Sequence, residues 1–227
     1  MEKVICITGA SDGLGESLAR FLSKENKVVL LARNEEKLQK LAQEINAKYY
    51  VCDVTNHSQT ESVMKSVIAE NKRIDVLINS AGALIDGELS NCDYEEIKSL
   101  IDVNLTGLIF ATKSVIPYMK KQKDGLILNI NSQAGFGALA EKSIYNASKW
   151  GVNGFSKCMQ LELAKYGIKV TDVFPGRMNT KMFEKIGQKR NMNNAIQLED
   201  MNQIIDFLIK LPKDIVIPEI GVKHINN

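Results

Sequence analysis

Tyr145 and Lys149 stand four positions apart in the stretch SIYNASKW, a spacing that puts both side chains on one face of a helix, about 5–6 Å apart at Cβ. Two roles fit. The pair can be an exposed contact on a helix surface, or an acid and the cation that tunes it. A free phenol with a pKa of about 10 is a poor proton donor to a carbonyl, and a neighbouring ammonium favours the phenolate and lowers that value. A phenol so tuned can protonate a carbonyl oxygen as hydride arrives, or take the proton from an alcohol. Ser132 closes the apolar run LILNINS; its hydroxyl can donate to the substrate oxygen and accept from the phenol, although an isolated serine there is ordinarily a turn or cap residue. Asn104, in IDVNLTG, falls inside a region from Tyr94 to Lys121 that is long for one helix and carries Pro117 near its end. The reading is two helices meeting near NLTG, with backbone groups freed there for a water that carries protons to Lys149.

These residues need a frame. Short aliphatic runs recur at 3–8, 27–32, 48–52, 75–79, 125–131 and 168–174, separated for the most part by stretches with helical periodicity. Strands that are apolar on both faces and alternate with amphipathic helices predict an α/β domain, a doubly wound parallel sheet with helices on both sides. One domain over 1–227 is expected from the length. The irregular stretch 175–195 follows the last apolar run and precedes a final helix around LEDMNQIIDFLIKL; a loop at the carboxyl end of a strand lies where such sheets bind ligands, which makes 177–195 the expected substrate lid.

The first run leads directly into TGASDGLGESLARFL, with Gly9, Gly13 and Gly15. Such glycines let the backbone turn tightly and approach a pyrophosphate, whose charge then faces the amino end of the next helix. A methyltransferase can use the same turn. At the end of the second run, an acid would bond a free ribose 2′-hydroxyl and an arginine would accommodate a 2′-phosphate. Here Ala32 and Arg33 stand there, favouring NADP(H) over NAD(H), while the charge of Asp12 in the glycine turn works against a nearby phosphate. Asp53 is placed to accept from an adenine amino group, and NSAG (79–82) supplies small residues at the next strand end.

The chain carries 29 basic and 27 acidic residues, a formal net charge of +2, with no basic tail or stripe. That points to small-molecule partners rather than nucleic acid or an anionic membrane. Four cysteines without a C-x-x-C and two distant histidines give no metal site. The amino end enters a strand-like run at once, and no apolar stretch approaches the roughly 20 residues of a membrane span. The expected location is cytoplasmic, with reduced thiols.

Taken together, TGASDGLG (8–15), Asp53 with Val54, NSAG (79–82), Asn104 in VNLTG, Ser132, YNASK (145–149) and PGRMNT (175–180) resemble the short-chain dehydrogenase/reductase family in its compact single-domain branch. The resemblance covers residues 8 to 180 in the family's order and spacing. It implies a Rossmann-type sheet of about seven strands and a catalytic tetrad of Asn104, Ser132, Tyr145 and Lys149, with Tyr145 as acid/base. Cofactor contacts would come from Gly9, Ser11, Asp12, Gly13, Leu14 and Gly15 in the turn, Arg33, Asp53 and Val54, Asn79, Ala81 and Gly82, and Pro175, Gly176 and Thr180. Lys149 would also bond the nicotinamide ribose, and Thr180 would approach the carboxamide. The implied activity is hydride transfer between NADP(H) and a small carbonyl or alcohol. The implied assembly is a homodimer or homotetramer built on the helices around 94–121 and 143–167. NSAG in place of Asn-Asn-Ala-Gly is a departure, as is an ending, IVIPEIGVKHINN, without the glycine-rich segment of many relatives. A cofactor-binding sensor or scaffold without catalysis is the alternative; such proteins lose the tyrosine or the lysine, and this chain keeps both.

Overall fold

The computed structural model describes residues 2–226; Met1 and Asn227, the two ends of the expected domain, lie outside the described residues. Six strands follow the apolar runs: β1 (Val4–Thr8), β2 (Lys27–Ala32), β3 (Lys48–Val51), β4 (Val76–Asn79), β5 (Gly125–Ile130) and β6 (Ile168–Pro175). A seventh, β7 (Glu219–Val222), pairs with β6 near the carboxyl end of the chain. All pairs are parallel and the order is β3-β2-β1-β4-β5-β6-β7. The chain therefore reverses direction across the sheet between β1 and β4, where the carboxyl ends open into a crevice.

Strand alternation divides the apolar side chains into two cores. Ile5 and Ile7 of β1, Leu30 of β2 and Ile78 of β4 face one side. Helices α1 (Gly13–Leu22) and α2 (Glu35–Ile45) cover them through Leu18, Leu22, Leu38 and Leu41. Cys6, Val29, Leu31 and Leu77 face the other side with Met64 of α3 (His57–Asn71). Burial on both faces is what a parallel sheet requires, and β1, β4 and β5 are buried along their whole length. Short polar caps start the helices: Asn34 accepts from Lys37 N–H before α2, and Asn56 accepts from Gln59 N–H before α3.

The region 94–122 corrects two expectations. Helix α4 (Tyr94–Ile101) passes through a π-helical segment, Asp102–Thr106, into α5 (Gly107–Gln122) without a break. A π segment absorbs one extra residue within a helix, so the irregular periodicity near NLTG marks a bulge rather than a junction. Pro117 lies inside α5, and the helix continues past it to Gln122. The lost backbone bond is tolerated because Val115 and Met119 on either side are fully buried against the sheet. By length and composition this run of 29 residues is also apolar enough to cross a membrane, contrary to the expected lack of such a stretch. The same composition serves a helix that packs Ala111, Val115 and Met119 into the second core. The last two helices are α6 (Ser143–Ala164) and α7 (Leu198–Lys210); α7 joins α1 on the first core through Met201, Ile205 and Leu208.

Candidate active site

The crevice at the strand ends is a cavity of about 1140 Å³. Its floor is two turns pressed together. Gly9, at φ +68°, leaves β1 so close to the turn after β4 that an added Cβ would lie 2.7 Å from Ala81 Cα. Thr8 Oγ1 accepts from the backbone N–H groups of Ser80 and Ala81 at 3.1 and 3.3 Å, which ties the turns into one surface. A Cβ on Gly15 would overlap the Gly9 carbonyl oxygen, so this glycine works by letting α1 start tight against the turn.

Of the residues the sequence singles out, Gly9, Ser11, Asp12, Gly13, Leu14, Arg33, Asp53, Val54, Ala81 and Gly82 line one part of the cavity. Ser132, Tyr145, Lys149, Pro175, Gly176 and Thr180 line the rest. Gly15, Asn79 and Asn104 are not among the lining residues. Asn79 is buried and donates to Thr112 Oγ1 at 3.1 Å and Asn129 Oδ1 at 2.9 Å, bracing β4 against α5 and β5. The Asn104 side chain accepts from Ala83 N–H at 2.7 Å and donates to Ala83 C=O at 3.0 Å and Ser148 Oγ at 3.1 Å. Its amide joins the π segment to the loop after β4 and to α6.

Arg33 sits exposed at the end of β2 and has no ion-pair partner among the described residues. Asp12 is different. Its Oδ1 caps α1 by accepting from Gly13 N–H at 2.7 Å, while Oδ2 meets Lys37 at 3.1 Å and Lys185 at 2.9 Å. Partial burial works to raise its pKa, but the two ammonium groups outweigh that and hold it at about 2. The negative charge expected to oppose a phosphate in this turn is thus balanced by two cations.

At the other end, β5 delivers Ser132 and the first turn of α6 delivers Tyr145. Ser132 Oγ accepts from Ala134 N–H at 3.1 Å, capping a short 3₁₀ turn, Gln133–Gly135. As a residue Tyr145 is only partly covered, but its phenol sits within the cavity, and loss of solvent pushes its pKa up while the Ser132 hydroxyl pulls it back. Lys149 is 5 % exposed. Its Nζ lies 5.8 Å from the Tyr145 ring centroid and donates to Ile130 C=O at 2.9 Å. Burial draws the ammonium down to about 8, against the opposing field of Asp172. The expected lowering of the phenol by Lys149 is therefore reversed in this arrangement. The ammonium is turned to the end of β5, and desolvation dominates at the phenol.

The segment after β6 crosses the cavity mouth. Its ends are held by a bridge between Met178 and Ile196. Lys185 reaches Asp12, and Arg190 reaches Asp86 at 2.9 Å, with Lys142 of the α6 approach also 3.6 Å from Asp86. Asp86 shows only 2 % of its side chain to solvent. Sequence reasoning missed several lining residues, among them Asn131, Lys142 and Lys223. Only Asn131 carried a readable signal, as one of two asparagines, with Asn129, that interrupt an apolar strand run.

Comparison with known proteins agrees with this geometry. The family model for short chain dehydrogenase matches residues 3–191. An oxidoreductase of Staphylococcus epidermidis is 31% identical over 227 residues, 99% of this chain and 98% of its own length. The closed form of serine dehydrogenase complexed with NADP+ superposes with a TM-score of 0.92 at 30% identity, covering 99% of this chain and 96% of that one. An alcohol dehydrogenase from the archaeon Thermococcus sibiricus, complexed with 5-hydroxy-NADP, gives 0.91 at 26% identity over 100% of this chain and 98% of that one.

Proposed function

The chain belongs to the short-chain dehydrogenase family and is an oxidoreductase, and from that premise we propose that it moves a hydride between NADP(H) and a small carbonyl or alcohol, with Tyr145 as acid/base. The observation that carries this reading is the convergence of Ser132, Tyr145 and Lys149 on one end of a cavity whose other end is the glycine turn. The turn has the form a dinucleotide needs: a cradle at Gly9 that a Cβ would fill, and at the end of β2 an Arg33 without an ion-pair partner among the described residues, for a 2′-phosphate. Solved relatives carrying NADP+ and 5-hydroxy-NADP support the same choice. When bound, the nicotinamide supplies or accepts the hydride.

The protein's own part is positional and protonic. Ser132 Oγ holds the substrate oxygen. The Tyr145 phenol, kept protonated at neutral pH by its desolvated setting, donates its proton as that oxygen gains charge, and the nearby Lys149 ammonium steadies the phenolate left behind. The segment 177–195 acts as the lid, closed over the site by the Lys185–Asp12 and Arg190–Asp86 contacts. We read 1–227 as one domain that assembles as a homodimer or homotetramer through α4, α5 and α6, where Tyr94, Trp150 and Leu161 are 87%, 54% and 83% exposed. Four free cysteines suit a reducing cytoplasm.

Replacing Tyr145 by Phe tests the assignment. The expected result is a fall in kcat of about 10²–10⁴-fold with NADPH affinity retained; an unchanged rate overturns it.

A further inference from the structure

Behind Lys149 lies a carboxylate that the chemistry above does not use. Asp172, in the middle of β6, is fully buried. Asn131, the residue before Ser132, bridges it to the lysine's helix: Nδ2 donates to Asp172 Oδ2 at 2.9 Å and to Lys149 C=O at 3.2 Å. Gly135 closes over this amide, and a Cβ there would come within 2.8 Å of both its polar atoms. Asp172 Oδ1 and Asn131 Oδ1 are buried without a partner among the described residues. An acid at a site that cannot fully satisfy it costs stability, where an apolar residue would not. A carboxylate in that setting can act through its charge on a neighbouring cation.

The neighbours define that role. Lys149 of α6 is the cation that acts on Asp172; from β7, Glu219 stands opposite in register and acts against its ionisation, and Ser156 of α6 and Asn131, just after β5, favour it. Glu219 is itself engaged at the surface by Lys157 at 3.2 Å. Viewed from Lys149, Asp172 is the charged group that opposes the loss of its proton. Burial sets both groups against their charged forms, drawing Lys149 to about 8 and raising Asp172 to about 7. Each charge is sustained by the other.

We propose that Asp172 is a positioning residue for the reaction: by its charge it keeps Lys149 protonated, and through Asn131 it holds the helix that carries the lysine, the charged state being the one in which Lys149 can steady the Tyr145 phenolate. The proposal rests on the acid/base reading of Tyr145 for its catalytic consequence, but the effect on Lys149 stands apart from it and can be read without turnover.

Asp172→Asn keeps the size and an acceptor for Asn131 while removing the charge. In protein labelled with 13C at lysine Cε, with the Lys149 resonance assigned from Lys149→Arg, the titration midpoint of Lys149 should fall by about one pH unit or more. In turn, kcat/KM for NADPH-dependent reduction should drop roughly tenfold at pH 8 and stay within about twofold of wild type at pH 6. A merely structural role would lower activity evenly across pH. An unmoved midpoint overturns the proposal, as does a loss of activity independent of pH. If Tyr145→Phe keeps full activity while the midpoint still moves, the acid/base reading fails and the link from Asp172 to Lys149 survives. Should Asp172→Asn not fold, Asp172→Ser, with room for a water beside Asn131, makes the same measurement.

Discussion

The side chain of Asn104 clasps both backbone polar groups of Ala83, accepting from its N–H at 2.7 Å and donating to its C=O at 3.0 Å. The clasp extends to Tyr145, because Ser148, which also receives the Asn104 amide, donates to Tyr145 C=O at 2.7 Å. Asn104→Leu leaves these buried groups unpaired, and a loss of about 2–4 kcal/mol in urea unfolding is expected, with a fall in kcat as the Tyr145 turn loosens. Asn104→Asp keeps the first bond only and should fall between the two. Equal stability of wild type and Asn104→Leu would remove the clasp from the account.

Two glycine substitutions should have opposite signs. Gly9→Ala adds a Cβ 2.7 Å from Ala81 Cα at a φ of +68°, and should abolish NADPH binding in a fluorescence titration and lower the melting temperature. Gly154→Ala, in the middle of α6 with nothing within 4 Å of the new methyl, should stabilise by about 0.5–1 kcal/mol.

Arg33 has no ion-pair partner among the described residues and lines the cavity. Arg33→Ala should weaken NADPH binding by about 1.5–3 kcal/mol, the range for a charge-assisted bond, and leave NADH unchanged. Parallel losses for the two cofactors would mean that Arg33 does not read the 2′-phosphate.

Thiol reactivity should split the cysteines. Cys158 is exposed and Cys92 partly so, whereas Cys6 and Cys52 are buried. Desolvation, aided by Asp75, pushes the Cys6 thiol up to about 12, and burial raises Cys52 as well. Iodoacetamide at pH 8 should label Cys158 first and Cys92 next, with Cys6 and Cys52 reacting only after denaturation. Rapid labelling of Cys6 in the folded protein would contradict the fold.

Asp12 links stability to acid. Its folded pKa of about 2 lies below the ordinary 3.8, so its stabilisation is complete above about pH 4 and is lost as pH falls through about 2. Asp12→Asn should cost about 1 kcal/mol at pH 7, a small figure because Lys37 and Lys185 are more than half exposed. The gap should close in acid unfolding between about pH 4 and 2; because Asn keeps an oxygen that can accept from Gly13 N–H, a gap independent of pH would mean that the charge is not its cause.

Six strands were legible because residues buried on both faces must be apolar in unbroken runs, as in KVVLLA and DVLIN. β7 was not, since it is short, alternately exposed and preceded by Pro218. Periodicity located the irregularity near Asn104 but not its form, because one extra residue can be absorbed by a π turn as well as by a break. Spacing brought Tyr145, Lys149 and Ser132 together, yet the direction in which Tyr145 titrates depends on solvent access, which spacing does not encode. Asn79 shows the converse case: a strand-end asparagine suits a ligand or a brace equally, and only the positions of Thr112 and Asn129 reveal the bracing bonds of its Nδ2.

The bridge between Met178 and Ile196 also bears on how this scaffold can change over evolutionary time. Because the two ends are pinned to each other, the chain between them is a loop whose closure is already complete at its base. Ile196 N–H bonds Arg177 C=O at 2.8 Å and Asn179 N–H bonds Ile196 C=O at 2.9 Å, whatever lies farther out. Doubling such a loop costs only about 0.6 kcal/mol in closure entropy. Insertions, deletions and wholesale replacement between 180 and 195 can therefore accumulate at little cost to the sheet.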